Sequence, residues 1–477
     1  MGLLDLFRKR EKVSIKSGLR WPALRAKYDS AQTTNQNKNY WANADSLSAD
    51  QSQSPSVRRT LRNRARYEVA NNSYARGIVL TLANDLVGTG PRLQLTTGDA
   101  EENRFVERLF REWSLSINLP EKLRTMRIAR AQDGESFAVL SFNPKIRNPI
   151  MLDVRLIESE QVATPIYNVD PDDYNDGIQF DRWGNPVSYD VLVVHPGSLS
   201  LGFVENYERI DAESVIHYFR SDRPGQTRGI PDITPSLPLF SQLRRFTLAV
   251  LGAAETAADF AGILYTDAPA NGESDDVEPF DAVELEARTL LTMPGGWKMG
   301  QVKSEQPATT YVEFKNALLN EIARCLNMPF NIAAGNSEGY NYASGRLDHQ
   351  TYYKAINVDR NLMETEVLDR LLGAWFNEAI LVEGLLPQSM RSTDFDLSHA
   401  WFWDGHEHVD PAKEANAQQT RLNNNTTTLA AEFAKQGINW EDALRQRAKE
   451  IDLMDELGIS IEGGASSNFR VDIEDDE

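Results

Sequence analysis

Few residues in this sequence have the right types for chemistry, and their spacing is loose. Asp404, His406, Glu407, His408 and Asp410 fall within seven positions. On a strand, alternate side chains share a face, so His406 and His408 could offer two imidazoles to one metal. That spacing fixes no third ligand, and His-Glu-His lacks the i, i+4 pair of a helical zinc site. The other four histidines, His195, His217, His349 and His399, stand apart. Asp133 and Glu135 offer a carboxylate pair of the kind a polysaccharide hydrolase uses, but two acids at this separation are common and assign no reaction. The GGWKMG stretch at 295–300 lacks the Lys-Ser/Thr ending of a phosphate-binding loop, and GTGPRL at 88–93 lacks the third glycine of a dinucleotide site. Cys325, the one cysteine, lies on the apolar side of a helical pattern, where a thiol is core rather than nucleophile. The expectation is a non-enzymatic chain with no cofactor and no metal, and a hydrolase is the enzymatic alternative.

With little chemistry to position, the elements themselves carry the information. A length of 477 residues suggests about three domains at roughly 150 residues each, and 41% apolar residues suffice for a folded core. Residues 29–56 are rich in Ser, Asn, Gln and Ala and read as an arm or linker. From Pro55 the pattern is helical, with a break at Asn71-Asn72-Ser73 and Gly88 as a C-cap. Helices are expected over 101–115 and 120–133. Strand signals follow at 136–142, 151–158, 189–194 and 215–219, separated by Asn-Pro and Trp-Gly-Asn-Pro turns. Two strong amphipathic helices come next, at 239–262 and 309–327, the second stopped by Pro329. A polar loop with two glycines covers 330–346, and a long helix covers 344–381. Helical pattern returns at 411–436 and 439–457.

Net charge is −20, unevenly spread. Residues 1–70 hold 14 basic against 6 acidic residues, and 441–477 hold 4 against 12. Between Asp267 and Glu286 there are eight acids and no base. Such a chain is unsuited to tight nucleic-acid binding, which depends on cations displacing phosphate counterions. The apolar run 246–265 is interrupted by Glu255 and Asp259, which argues against a membrane span. The N-terminus fits neither a secretory signal nor a myristoylation site.

Three stretches in order resemble the lambda-family portal proteins of tailed phages. They are RARYEVANNSYARGIVLTLANDLVGTGPRLQ at 64–94, the run from Thr292 to Arg346 containing MPGGWKMG, IARCLNMPFNIAAG and YNYASGR, and the segment from Trp403 through DPAKEANAQQTRLNNNTTTLAAEFAKQGINWED. Ala343 departs from the family's first serine in the Asn-Tyr-Ser-Ser-x-Arg pattern. The resemblance spans about 58–458.

What it implies is an α+β subunit of a dodecameric ring with a mixed α/β wing, two-helix stem, small α/β clip and helical crown. Carried onto this chain, 1–55 is a basic and polar arm, 56–238 the wing, 239–262 and 309–328 the stem helices, and 263–308 the clip. The segment 329–346 is the tunnel loop, 347–390 a long wing helix, 391–458 the crown and 459–477 an acidic tail. A clip within 150–225 is the alternative. Candidate channel-facing residues are Glu255, Asp259, Lys315, Asn320 and Arg324 on the stem, with Asn336, Ser337, Glu338, Tyr340 and Asn341 on the loop. Their plainer reading is as solvent-facing helix and connector residues. Asp275, Asp276, Glu278, Asp281 and Glu284 form a candidate docking rim for a basic partner, or an ordinary solvated surface. The implied partners are further copies of the chain, double-stranded DNA passing without sequence specificity, the terminase large subunit, a head–tail adaptor and capsid or scaffold protein, within a virion. An adaptor or minor head protein is the structural alternative.

Overall fold

The alternation of helical and strand periods predicts helices packed on small sheets, and a computed structural model shows this arrangement. It describes residues 34–35, 37–97, 99–165, 174–198, 206–259, 263–266, 297–300, 308–339, 341–392, 395–405 and 411–459. The chain divides into two units, Met1–Ser48 and Ala49–Glu477. The described part of the first consists mainly of turns around residues 37–43.

The second unit opens with α1 (Ala49–Ser52), α2 (Pro55–Asn71) and α3 (Ser73–Val87). Asn72 separates the last two, as the sequence break predicts: its side chain accepts from the amides of Tyr74 and Ala75 and caps α3. Gly88, at φ +57°, ends α3. Then follow β1 (Arg92–Leu95), α4 (Ala100–Ser116), α5 (Leu119–Asp133), β2 (Glu135–Phe142), β3 (Leu152–Ile157), β4 (Tyr174–Asn175), β5 (Ile178–Phe180), β6 (Pro186–Leu192), β7 (Tyr207–Asp211) and β8 (Val215–Phe219). Strands β3-β2-β8 form one antiparallel sheet and β4-β5-β6-β7 another. The β2 strand is buried over its first five residues because it is the centre of its sheet, with α5 on one face.

The passage from α5 to β2 is tight. Gly134 has φ +95°, and a Cβ there would lie 2.5 Å from the backbone of Ile230. Gly229 approaches the Gly134 carbonyl so closely that its own Cβ would lie 2.1 Å from that oxygen. Only glycine fits either position.

Beyond β8 come α6 (Leu237–Asp259), the antiparallel pair β9 (Ile263–Thr266) and β10 (Trp297–Gly300), α7 (Ala308–Arg324), α8 (Phe330–Ala334) and α9 (Tyr342–Met363). A π-helical turn, Glu364–Leu368, joins α9 to α10 (Asp369–Leu381) without interrupting the rod. The chain ends in β11 (His399–Phe402), α11 (Pro411–Asn423), α12 (Leu429–Lys435) and α13 (Trp440–Leu457). Sequence reasoning placed one loop over 330–346 and one helical stretch over 411–436. The first instead contains α8, whose Ala333 is buried, and the second is broken over 424–428. Strand β11 pairs with β1 across some three hundred residues of chain, in the register Arg92 with Phe402.

Two large cores result. One gathers α4, α5, β2, β3 and α10 around Trp113, Phe110 and Trp375. The other packs α3, the start of α6, the end of α7 and α9 around Ile78, Leu82, Phe240, Ile322 and Tyr352.

Candidate channel elements

The helices α6 and α7 are each apolar on one side, so burial of that side decides where they lie. Near the body they are anchored. Leu237, Phe240 and Leu243 of α6 and Leu318, Leu319, Ile322 and Ala323 of α7 are buried in the second core. Further out the contact thins to an aromatic clasp, with Phe246 stacked on Tyr311 at 5.6 Å and tilted against Phe314 at 4.6 Å. At and beyond this clasp, Leu248, Leu251, Val312 and Phe314 are 62, 54, 56 and 49% exposed. The two helices do not bury each other's apolar surface along their length. The same holds for α13, which has no buried residue and leaves Leu444, Ile451, Leu453 and Leu457 exposed.

Among the stem candidates, Glu255, Asn320 and Arg324 are exposed, and Arg324 donates to Asn327 Oδ1 at 2.8 Å. Asp259 closes α6 as described. Lys315 is only half exposed: its ammonium lies over the Tyr74 ring, 5.1 Å from the centroid, and beside Tyr311. The hydrogen bond to Tyr74 holds its pKa above the usual lysine value. Lys315 thus belongs to the joint between α7 and α3 more than to a freely presented face. Of the clip candidates, Asp275, Asp276, Glu278, Asp281 and Glu284 lie outside the described residues. Within 263–308 the structure describes the antiparallel β9–β10 ladder and the start of α7.

The connector between α8 and α9 is shorter than the polar loop read over 330–346. It runs from Gly335, a left-handed helix cap at φ +63°, to Asn341. Asn336, Ser337, Glu338 and Asn341 are exposed, and Asn336 Oδ1 accepts from the Glu338 amide at 2.9 Å. Tyr340 lies outside the described residues. At the base of the loop, Asn331 Nδ2 is 3.0 Å from His349 Nε2.

The residues that could have indicated an enzyme are engaged elsewhere. Glu135 is fully buried. Arg228 grips it through Nη2 at 2.6 Å and Nε at 2.9 Å, the Gly229 amide donates at 3.0 Å, and His217 Nε2 stands at 3.1 Å. Burial opposes ionisation, but Arg228 and His217 outweigh it and hold the carboxyl well below the usual range. His217, stacked between Phe137 and Phe219, has its pKa lowered by burial and by Arg228 and Arg58, against the pull of Glu135. Asp133 is held by Arg66 at 2.6 Å. Two guanidinium-bound acids in a closed core cannot serve a sugar substrate as acid and base. Cys325 accepts from Ser236 Oγ at 2.9 Å, and burial pushes its thiol up, as a core cysteine requires. Asp404 accepts from Thr89 N at 2.5 Å and Thr89 Oγ1 at 2.9 Å and pairs with Arg92; His406–Asp410 lie outside the described residues.

A cluster missed in the sequence brings Glu158, Glu160 and His195 within 4.8 Å. It does not suit a cation. Arg66 holds Glu158 at 3.0 Å and Glu160 at 3.0 Å, and Arg62 also reaches Glu160. His195 Nδ1 accepts from the Gly197 amide, which leaves Nε2 carrying the proton toward the acids.

Also unforeseen is how α2 uses its arginines. Arg58, Arg62 and Arg66, spaced four apart, turn inward to Asp176, Glu135, Glu160 and Asp133. A second closed cluster joins Arg127 and Arg130 to Asp232 and Asp359, tying α5 to α9. The spacing of Arg58, Arg62 and Arg66 on one helical face was the available signal.

Residues 34–360 match the family described as "Phage portal protein, lambda family". A "Probable portal protein" of Halomonas phage phiHAP-1 is 25% identical over 451 residues, covering 88% of this chain and 86% of that protein. Among solved structures, the neck of an empty GTA particle resolved with C6 symmetry aligns at TM-score 0.49 and 15% identity, over 78% of this chain and 92% of that one. An HK97 family phage portal protein from Corynebacterium diphtheriae aligns at TM-score 0.27 and 15% identity, over 75% and 98%. The chain belongs to the lambda family of phage portal proteins.

Proposed function

We propose that this portal subunit closes with copies of itself into a dodecameric ring at one capsid vertex. Double-stranded DNA enters and leaves the head through that ring. One side of the ring docks the terminase large subunit during packaging and a head–tail adaptor afterwards. The observation that carries this reading is the unburied apolar surface of α6, α7 and α13. A helix of this length gains most of its stability from packing an apolar face, and within the chain these faces have no partner among the described residues. Neighbouring copies in a closed heterologous ring supply one.

The tunnel suits a polyanion that must slide rather than stick. Duplex DNA carries about one charge per 1.7 Å, and many cation contacts would hold it. A chain of net charge −20, with Arg58, Arg62 and Arg66 of α2 consumed internally, offers few. Within about 8 Å of the wall, screening is incomplete and acids such as Glu255 repel phosphate toward the axis. Asn336, Ser337, Asn341 and Tyr340 of the loop offer neutral groups for brief phosphate contacts, and Glu338 adds a repelling charge. The acids Asp275, Asp276, Glu278, Asp281 and Glu284 offer a negative rim to a basic docking partner, and the basic arm of residues 1–55 reaches capsid or scaffold protein. Assembly takes place in the host cytoplasm, and ATP hydrolysis belongs to the separate terminase.

Light scattering after size exclusion, with electron micrographs of the same fraction, tests the ring. The expected particle has twelve times the chain's mass and an open centre. Leu248→Glu with Leu251→Glu should shift it to smaller species with unchanged helix content. A monomer at high concentration, or a solid particle, contradicts the reading.

A further inference from the structure

We propose that Asn331 and His349 form a latch that sets where the tunnel loop ends and α9 begins. The inference rests on 335–341 being that loop.

Between Ala333 and Tyr352, both buried, no described residue is buried. Residues 345–351, in the first turns of α9, therefore place no buried side chain in the core. Arg346, Leu347, Asp348 and Gln350 are exposed, with Leu347 at 67%. Their local preference is also weak, because Gly345 sits in the second turn and lowers helix propensity. A short helical stretch without packing is marginal in water. Against this, one specific tether crosses the base: Asn331 Nδ2 donates to His349 Nε2 at 3.0 Å.

Both ends of the tether are placed by the fold. Asn331 sits on α8, which packs on α3 and α7 and is fixed by Phe330, Ile332 and Ala333 in the second core. The His349 ring stands edge-on to Tyr353 at 5.8 Å, and Tyr352, one residue before it, bonds Asp85 on α3 at 2.7 Å. With the tether made, residues 342–349 stay helical and the loop is short. Without it, no other side-chain tether to the body is seen among the described side chains of 345–349. Unwinding replaces a rise of about 1.5 Å per residue with up to about 3.3 Å, which lengthens the loop's reach by roughly 14 Å. That is enough to move the loop from the wall toward a duplex on the axis. Asn331 and His349 are thus positioning residues, acting through the loop rather than touching DNA.

Hydrogen exchange on the purified full chain, at fixed concentration, reads this directly. Asn331→Ala and His349→Ala should each speed exchange of amides 342–349 by roughly 2- to 12-fold, the range expected for one lost hydrogen bond. Amides 352–363 should keep their wild-type rates. His349→Gln keeps an acceptor for Asn331 Nδ2 and should restore slow exchange. Wild-type rates in both alanine variants, no rescue by glutamine, or acceleration spreading through 352–363 would each overturn the latch. The ring is scored separately by light scattering on the same samples. A failed latch in an intact ring leaves the portal reading in place, and single copies with latched exchange count against the ring alone.

Discussion

Replacing Glu135 by Gln tests how α2, β2 and β8 are held together. The carboxylate is the common anion for Arg228, Arg62 and His217, all nearly inaccessible to water. The substitution keeps the shape and removes the charge. Arg228 retains Asp176 at 3.2 Å, and Arg62 retains Glu160 at 3.3 Å, so the loss is not of every partner. Breaking a buried pair by removing one member costs about 3–5 kcal/mol, mostly from the charge left behind. Unfolding entropy is about 2.1 cal/mol/K per residue, so a cooperative unit of this size has about 0.9 kcal/mol/K. The expected drop in Tm is then roughly 3–6 °C by scanning calorimetry at fixed protein concentration. Glu101→Gln, at the surface pair of Glu101 and Arg104, is the control and should leave Tm unchanged. A Glu135→Gln shift within 1 °C of that control would refute the claim that this ion cluster holds α2 to the β2 sheet.

Other expectations follow from the same geometry. Gly229→Ala should cost about 3 kcal/mol or more and yield poorly soluble protein, because its Cβ would lie 2.1 Å from the Gly134 oxygen; a wild-type melt would contradict it. The folded pKa of His217 is lowered, so the native state binds fewer protons than the unfolded chain below about pH 6.5. Stability should be fully present above that pH and decline below it, and His217→Gln should flatten the slope of Tm against pH. Glu135, also lowered, contributes above about pH 4.3 and loses its contribution on further acidification. Cys325 should react with a thiol reagent at least roughly tenfold more slowly in the native protein than in denaturant; equal rates would place it outside the core.

The sequence disclosed what depends on neighbours along the chain. The break at Asn71–Ser73, the Gly88 stop, the extents of α4 and α5 and the strand signals of β2, β3 and β8 all came from local periodicity and turn chemistry. It concealed what depends on distant partners. Arg58, Arg62 and Arg66 look like part of a basic arm until Glu135, Asp133 and Asp176, some seventy or more residues away, are seen to receive them. Strand β1 is only four residues long, too short for its Arg-Leu-Gln-Leu alternation to announce it, and its partner lies some three hundred residues further along the chain. Lys315 showed the polar side of a helical pattern but not the Tyr74 ring above it.

The β1–β11 ladder also sets a timetable. Residues 96–398 are an excursion whose two ends meet only when Arg92 pairs with Phe402, and Arg360 fastens the same seam by donating to the carbonyls of Asp85, Leu86 and Asp404. A chain still emerging from the ribosome holds β1 with its edge bare until residues 399–402 have been made. Such late, non-local closure is slow. It also means that prematurely terminated polypeptides lack the strand that completes the body, so a truncated product is poorly fitted to enter an assembly where one defective member would compromise every copy around it.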